Sequence, residues 1–148
     1  MDFLRLSRWW LPLSLLAILA SAGHVVIDVR IGVYPTQGVG LAIVLAAQAL
    51  VYGVWAFALW RSVGGARSAI LLSAWLALIQ GTFLNGIPIV VCPPVALLGM
   101  PAICPLSPWQ DFAHLGSLVF GTLAFFALRG LPAARKGQME AGHAHESA

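Results

Sequence analysis

Two stretches of this sequence pair an imidazole with a carboxylate at helical spacing: His24 with Asp28, and Asp111 with His114. Separations of four and three residues put each pair on one face of a helix. An imidazole oriented by a carboxylate can act as a general acid or base. Two imidazoles with one or two carboxylates suit zinc, iron or copper by ligand type. Two histidines on facing helices can also hold a haem b as its axial ligands. The plainer alternative is two local hydrogen-bonded pairs that stabilise helix packing, because buried polar groups have to be paired. A pocket for an organic ligand is the remaining use, since bundle cores commonly form such sites.

The elements that carry these residues are apolar and long. Of the 148 residues, 60% are hydrophobic and 9% charged, and the mean hydropathy is +0.90. Soluble domains are nearer half apolar and a quarter charged. A helix that crosses a bilayer needs about 20 apolar residues, and four such runs are present, at about residues 9–28, 38–60, 68–91 and 109–128. The expected fold is therefore an all-α integral membrane protein. It forms a four-helix up-down bundle over residues 1–130, followed by a disordered cytoplasmic tail over 131–148, whose composition is rich in Ala, Gly and charge. The sequence Gly-His-Ala-His-Glu in that tail, with His143 and His145, reads as solvated chain.

Charge sets the expected orientation. Arg5, Arg8, Arg61, Arg67, Arg129, Arg135 and Lys136 fall on one side of the four runs, and only Arg30 falls on the other. Short cytoplasmic segments carry the Lys/Arg excess, so both termini are expected in the cytoplasm and the protein in the plasma (inner) membrane. Trp9, Trp10, Trp60 and Trp109 sit at the run ends, where amphipathic rings favour the headgroup level. The net charge of +3 follows from this topology and does not suggest a nucleic-acid partner. The expected partners are the lipid bilayer and other membrane subunits. A rival reading takes Arg5, Arg8, the apolar run 11–20 and Ala20-Ser21-Ala22 as a cleavable signal peptide. Against it, the apolar run continues through Val25, Val26 and Ile27.

On this orientation the polar residues gather toward the outer side. With a rise of 1.5 Å per residue, His24 lies roughly 6 Å below the outer end of the first run and His114 roughly 7–8 Å below the outer start of the fourth. Asp28 and Asp111 fall at the outer mouth. Neighbouring antiparallel helices would bring the imidazoles to one level, with Asn85 of the third run at a similar depth. Gln48 and Gln80 lie nearer the midplane, and the inner half reads as almost purely apolar, which argues against a continuous ion path. Tyr52 and Trp55 follow Gln48 at helical spacing and read as packing. Gly116, Ser117, Gly121 and Thr122, with Gly81 and Gly86, suit close helix approach, and Pro88 is expected to kink or end the third run.

Both cysteines, Cys92 and Cys104, fall in the loop between the third and fourth runs, with Pro93, Pro94, Pro101, Pro105 and Pro108. On an oxidising outer side they are expected to pair, closing a 13-residue loop worth about 3 kcal/mol in the chain-entropy view. In layout alone this is similar to quinone-coupled thiol oxidases of the bacterial disulfide-formation type. The reactive Cys-x-x-Cys pair of those proteins has no counterpart here, so a structural disulfide is the expectation and no family is assigned. The function read from these residues is a small binding or accessory membrane subunit. Its outward-facing polar pocket would be lined by His24, Asp28, Asn85, Asp111 and His114 and suited to a metal or haem. The alternative is a membrane enzyme, of isomerase or redox type, using a His/Asp acid-base pair on a lipid-soluble substrate.

Overall fold

The computed structural model describes residues 6–30, 32, 37–85 and 108–146. Among these residues every element is a helix, and four helices are long and apolar enough to cross a membrane. Helix α1 spans Ser7–Arg30 and opens with a 3-10 turn over Ser7–Trp9. Helix α2 spans Gly38–Val63, α3 spans Arg67–Leu84, and α4 spans Pro108–Glu146. The stretch 86–107, with Cys92, Cys104, Gly86, Pro88 and the last residues expected in the third run, lies outside the described residues.

The connection between α2 and α3 shows why the chain reverses there. Gly65 adopts a φ of 83°, a left-handed conformation that costs a glycine little. Its amide donates to the Ser62 carbonyl at 3.0 Å. Ala66 is extended, and its carbonyl accepts from the Ile70 amide at 3.0 Å to begin α3. The fourth helix continues past Arg129 and through Pro132 to Glu146, over the stretch that composition suggested would be irregular. Ala, Gln, Lys, Arg, Met and Glu are abundant there, and all are good helix formers.

Apolar and polar side chains are distributed as a lipid solvent requires. Leu19, Ile43, Leu50, Phe57, Leu84 and Phe112 are exposed, whereas Ser14, Ser21, His24, Asp28, Ser62, Ser73, Asn85, His114 and Ser117 are buried. Contiguous apolar surface on this scale is not tolerated in water, whereas in lipid the polar groups must be satisfied inside. Helices α1 and α4 share the most extensive contact, and α3 packs on α4 along its length. Helix α2 is peripheral: only 11% of its apolar window is buried, against 39% for α3 and for α4. It is anchored by Trp55, fully buried among Ala17, Leu59, Ala77 and Ala124.

The end of the bundle that carries Arg61, Arg67 and Arg129, which reads in the sequence as almost purely apolar, buries four serines: Ser7, Ser14, Ser62 and Ser73. For Ser14 and Ser62 the helix itself supplies the acceptor. Ser14 donates to the Trp10 carbonyl at 2.6 Å and Ser62 to the Ala58 carbonyl at 2.7 Å, while the Ser62 and Ser73 hydroxyls are 3.5 Å apart.

Helices α3 and α4 cross nearly backbone to backbone at Gly81 and Gly121. A Cβ placed on Gly121 would lie 2.8 Å from the Gly81 carbonyl carbon and 2.9 Å from the Ala77 carbonyl oxygen. All of these are backbone atoms and cannot rotate away. Around this crossing α3 is π-helical, from Ala77 to Leu84; such segments bond i to i+5 and are wider than an α-helix. Gly121→Ala is expected to lower stability by about 1–3 kcal/mol through overpacking. Gly23→Ala, where nothing lies within 4 Å of the added carbon, should leave it unchanged or slightly raised. Unfolding both variants in detergent micelles checks this, and equal stabilities would contradict the crossing.

Candidate functional site

Of the five residues singled out for chemistry, the structure brings four together. His24 on α1 and His114 on α4 touch: their Nε2 atoms are 3.0 Å apart and their ring centroids 4.0 Å apart. Asp28, one turn along α1, holds Oδ2 3.2 Å from His24 Nε2. Asn85 closes the other end, its backbone carbonyl accepting a hydrogen bond from His114 Nδ1. The last carbonyls of a helix lack internal partners, and Asn85 is the cap of the π-helical segment, so its oxygen is free for the imidazole. His24, Asp28, Asn85 and His114 are each no more than 4% exposed. The cluster is thus closed and internally bonded, not an open polar pocket.

Asp111 stands apart. By spacing it shares a face of α4 with His114, and one of the readings paired the two, but His114 spends both ring nitrogens on Asn85 and His24. Asp111 is partly buried near the start of α4, and its Oδ1 has no hydrogen-bond partner among the described residues.

The network extends to residues that composition gave no reason to choose. Ser21, one turn inward of His24, accepts from the Asn85 side-chain amide and from the Tyr52 hydroxyl at 3.2 Å. Deeper in the bundle, Gln80 donates to Gln48 at 3.2 Å. Tyr52 is therefore a polar link as well as packing, while Trp55 packs in the core. All four helices contribute one or more members, from Asp28 near one end of the bundle to Gln48 in its middle. The signal in the sequence was the three-residue spacing of Ser21 and His24, and the four-residue spacing of Gln48 and Tyr52, on shared faces.

Proton positions follow from the acceptors. A carbonyl oxygen can only accept, so His114 Nδ1 carries the hydrogen and, in the neutral ring, Nε2 presents a lone pair. His24 Nε2 then donates, toward His114 Nε2 and Asp28 Oδ2. That leaves His24 Nδ1 as a lone pair, buried and without a partner. The single Nε2 hydrogen of His24 is thus shared between His114 Nε2 and Asp28 Oδ2, and carboxylate, two imidazoles and carbonyl form one bonded chain.

Its geometry discriminates among ligands. A haem iron between two axial imidazoles needs Nε2 atoms about 4 Å apart, twice a metal–nitrogen bond of about 2 Å, with the rings on opposite sides of the macrocycle. Here the rings lie side by side and leave no slot between them. Among the described residues no group of three or more His, Cys, Asp or Glu side chains is assembled to hold a metal ion, although His24 is a neighbour of both Asp28 and His114. Beside the cluster, between α1 and α4, runs an apolar cavity of about 450 Å³, lined by Ala20, Gly23 and Ile27 on one wall and Phe112, Gly116 and Val119 on the other, among others. Compared with known proteins, the chain matches no family model, no curated protein and no solved structure.

The imidazole contact should appear as coupling. In a double-mutant cycle of His24→Phe and His114→Phe, unfolding in micelles is expected to give an interaction energy of about 0.5–2 kcal/mol, the range for contacting polar side chains in membrane helices. Strictly additive effects would mean that the two rings do not meet.

Proposed function

We propose that this chain is a small multi-pass binding or accessory subunit of the plasma membrane. Its site is the His24–His114 pair with Asp28 and Asn85, and its ligand is an organic, lipid-soluble molecule. The observation that carries this reading is the buried cluster in which His24 touches both Asp28 and His114. Ionisable groups this deep in an apolar bundle are expensive to maintain and mark functional positions by default. The crowded rings favour an organic ligand over a haem, and the absence of a third convergent ligand among the described residues favours it over a caged metal. Both termini lie in the cytoplasm on this reading, supported by the one-sided distribution of Arg and Lys, and a Cys92–Cys104 disulfide staples the outer loop above the site.

A second reading has an observation of its own. The 3.2 Å contact of His24 with Asp28 is the arrangement in which a carboxylate orients an imidazole for proton transfer. A membrane enzyme acting on a lipid-soluble substrate would use the same site, with His24 as acid-base and Asp28 as its positioning residue. Turnover that disappears with His24→Phe while the ligand still binds to that variant would select it.

Protein purified from membranes in mild detergent is expected to carry an organic molecule detectable by mass spectrometry and lost from both His24→Phe and His114→Phe. A Soret band or stoichiometric metal that vanishes in the same two variants would replace the ligand reading. A cofactor-free, ligand-free protein whose variants behave normally would remove the site altogether. For the topology, a membrane-impermeant maleimide added to intact cells should label Cys92 and Cys104 only after external reductant. Labelling without reductant, or none after it, would contradict the stapled outer loop.

A further inference from the structure

The end of the bundle away from the histidines is cationic. Arg61 stands in the last turn of α2, Arg67 opens α3, and Arg129 lies in the last turn of the apolar stretch of α4 that closes at Pro132. Arginines at the ends of membrane-length helices reach the headgroup level of the bilayer. Two of the three share one cleft. Between α3 and α4 is a cavity of about 260 Å³, lined by Arg67, Ile70, Leu71 and Ala74 of α3 and by Leu128 and Arg129 of α4, among others.

The cleft has two chemistries in a fixed order. Its rim carries the guanidiniums of two different helices. Ile70 and Ala74, one and two turns further along α3, belong with Leu128 to a buried apolar cluster, so its floor is carbon. The positive charge is also uncompensated: among the described residues neither arginine has a carboxylate partner. Asp111, on the same helix as Arg129, is 18 residues before it, about 27 Å at 1.5 Å per residue. Both arginines are exposed, free to turn toward a common anion. A guanidinium presents a planar fork of N–H groups that matches the oxygens of a phosphate. An anionic group at the rim with hydrocarbon behind it complements the cleft at both levels, and those are the two halves of an anionic phospholipid. Basic pockets between membrane helices hold such headgroups.

We infer that the α3–α4 cleft is a binding site for one anionic phospholipid of the adjoining leaflet, with its phosphate between Arg67 and Arg129 and an acyl chain against the apolar wall of α3. The site is separate from the His24–His114 cluster, and neither reading depends on the other.

The test titrates the full chain in detergent with dioleoyl phosphatidylglycerol or dioleoyl phosphatidylcholine and counts bound lipid by native mass spectrometry. One phosphatidylglycerol per chain is expected, held more tightly than phosphatidylcholine by about fivefold for each arginine. Arg67→Gln and Arg129→Gln should each lower its affinity about fivefold, and the double variant should erase the preference. Arg61→Gln is the control, because Arg61 lies at the same end of the bundle and outside this cleft; it should leave binding unchanged. All three positions are exposed, and circular dichroism of each variant confirms that its helices remain. Equal affinity for the two lipids in the unaltered protein overturns the anionic ligand. A loss in Arg61→Gln as large as in the other two would make the attraction a property of the whole basic end and overturn the cleft. Displacement of the lipid by an equal concentration of glycerophosphoglycerol, the same headgroup without chains, would make the ligand a soluble phosphate ester and overturn the lipid assignment.

Discussion

A polar atom buried among hydrocarbon must find its partner within the protein, and the contact of His24 with His114 is where this chain meets that requirement most severely. Neither ring can be satisfied from its own helix alone. His24 has Asp28 one turn away, whereas His114 bonds across to α1 and α3 and not to Asp111 on its own helix. The three helices that share the largest contacts are those tied by these two rings. Removing water raises the strength of each bond in such a chain and equally raises the penalty for an unmade one. The arrangement therefore specifies one packing of the bundle as much as it stabilises it.

Close packing is the condition for those bonds. The Gly81–Gly121 crossing lets α3 lie against α4 nearly backbone to backbone, which holds the cap of α3 within reach of His114, less than two turns further along α4. Were the two helices held apart by ordinary side chains, the Asn85 carbonyl would be an orphan and His114 would lose the acceptor that sets its tautomer. Trp55 plays the corresponding part for α2, filling the core beside Gly81 so that Tyr52, one turn along, can reach Ser21. Small residues and one large ring thus position the polar groups, although none of them does any chemistry.

Much of this was legible in the residues themselves. Hydropathy placed the starts of the four helices within about two residues, because a run of apolar side chains bounded by arginine or glycine is a physical signal of length. The spacing of His24 and Asp28 gave their shared face. The pairing of Asp111 with His114, one of the alternatives open by the same rule, lost to a competing acceptor, the Asn85 carbonyl, which no side-chain pattern reveals. Asn85 reaches His114 through its backbone and Ser21 through its side chain, and only the first of these depends on where a helix ends. Ser21 and the inner serines were invisible for another reason. A serine in an apolar helix reads the same whether it bonds its own backbone, as Ser14 and Ser62 do, or receives two donors from other helices.

The π-helical segment of α3 sets the phase of everything beyond it. A single widened turn is equivalent to one residue inserted into a regular helix, and one residue is a rotation of about 100° at 3.6 residues per turn. The register of α3 before Ala77 and after Leu84 is therefore not continuous. If the eight residues from Ala77 to Leu84 were wound as ordinary α-helix, Ile70 and Ala74 would still face α4, but Asn85 would be turned by roughly a quarter circle away from His114. The extra residue works as a phase shifter: it lets one helix present an apolar face to one half of the bundle and a polar terminus to the other.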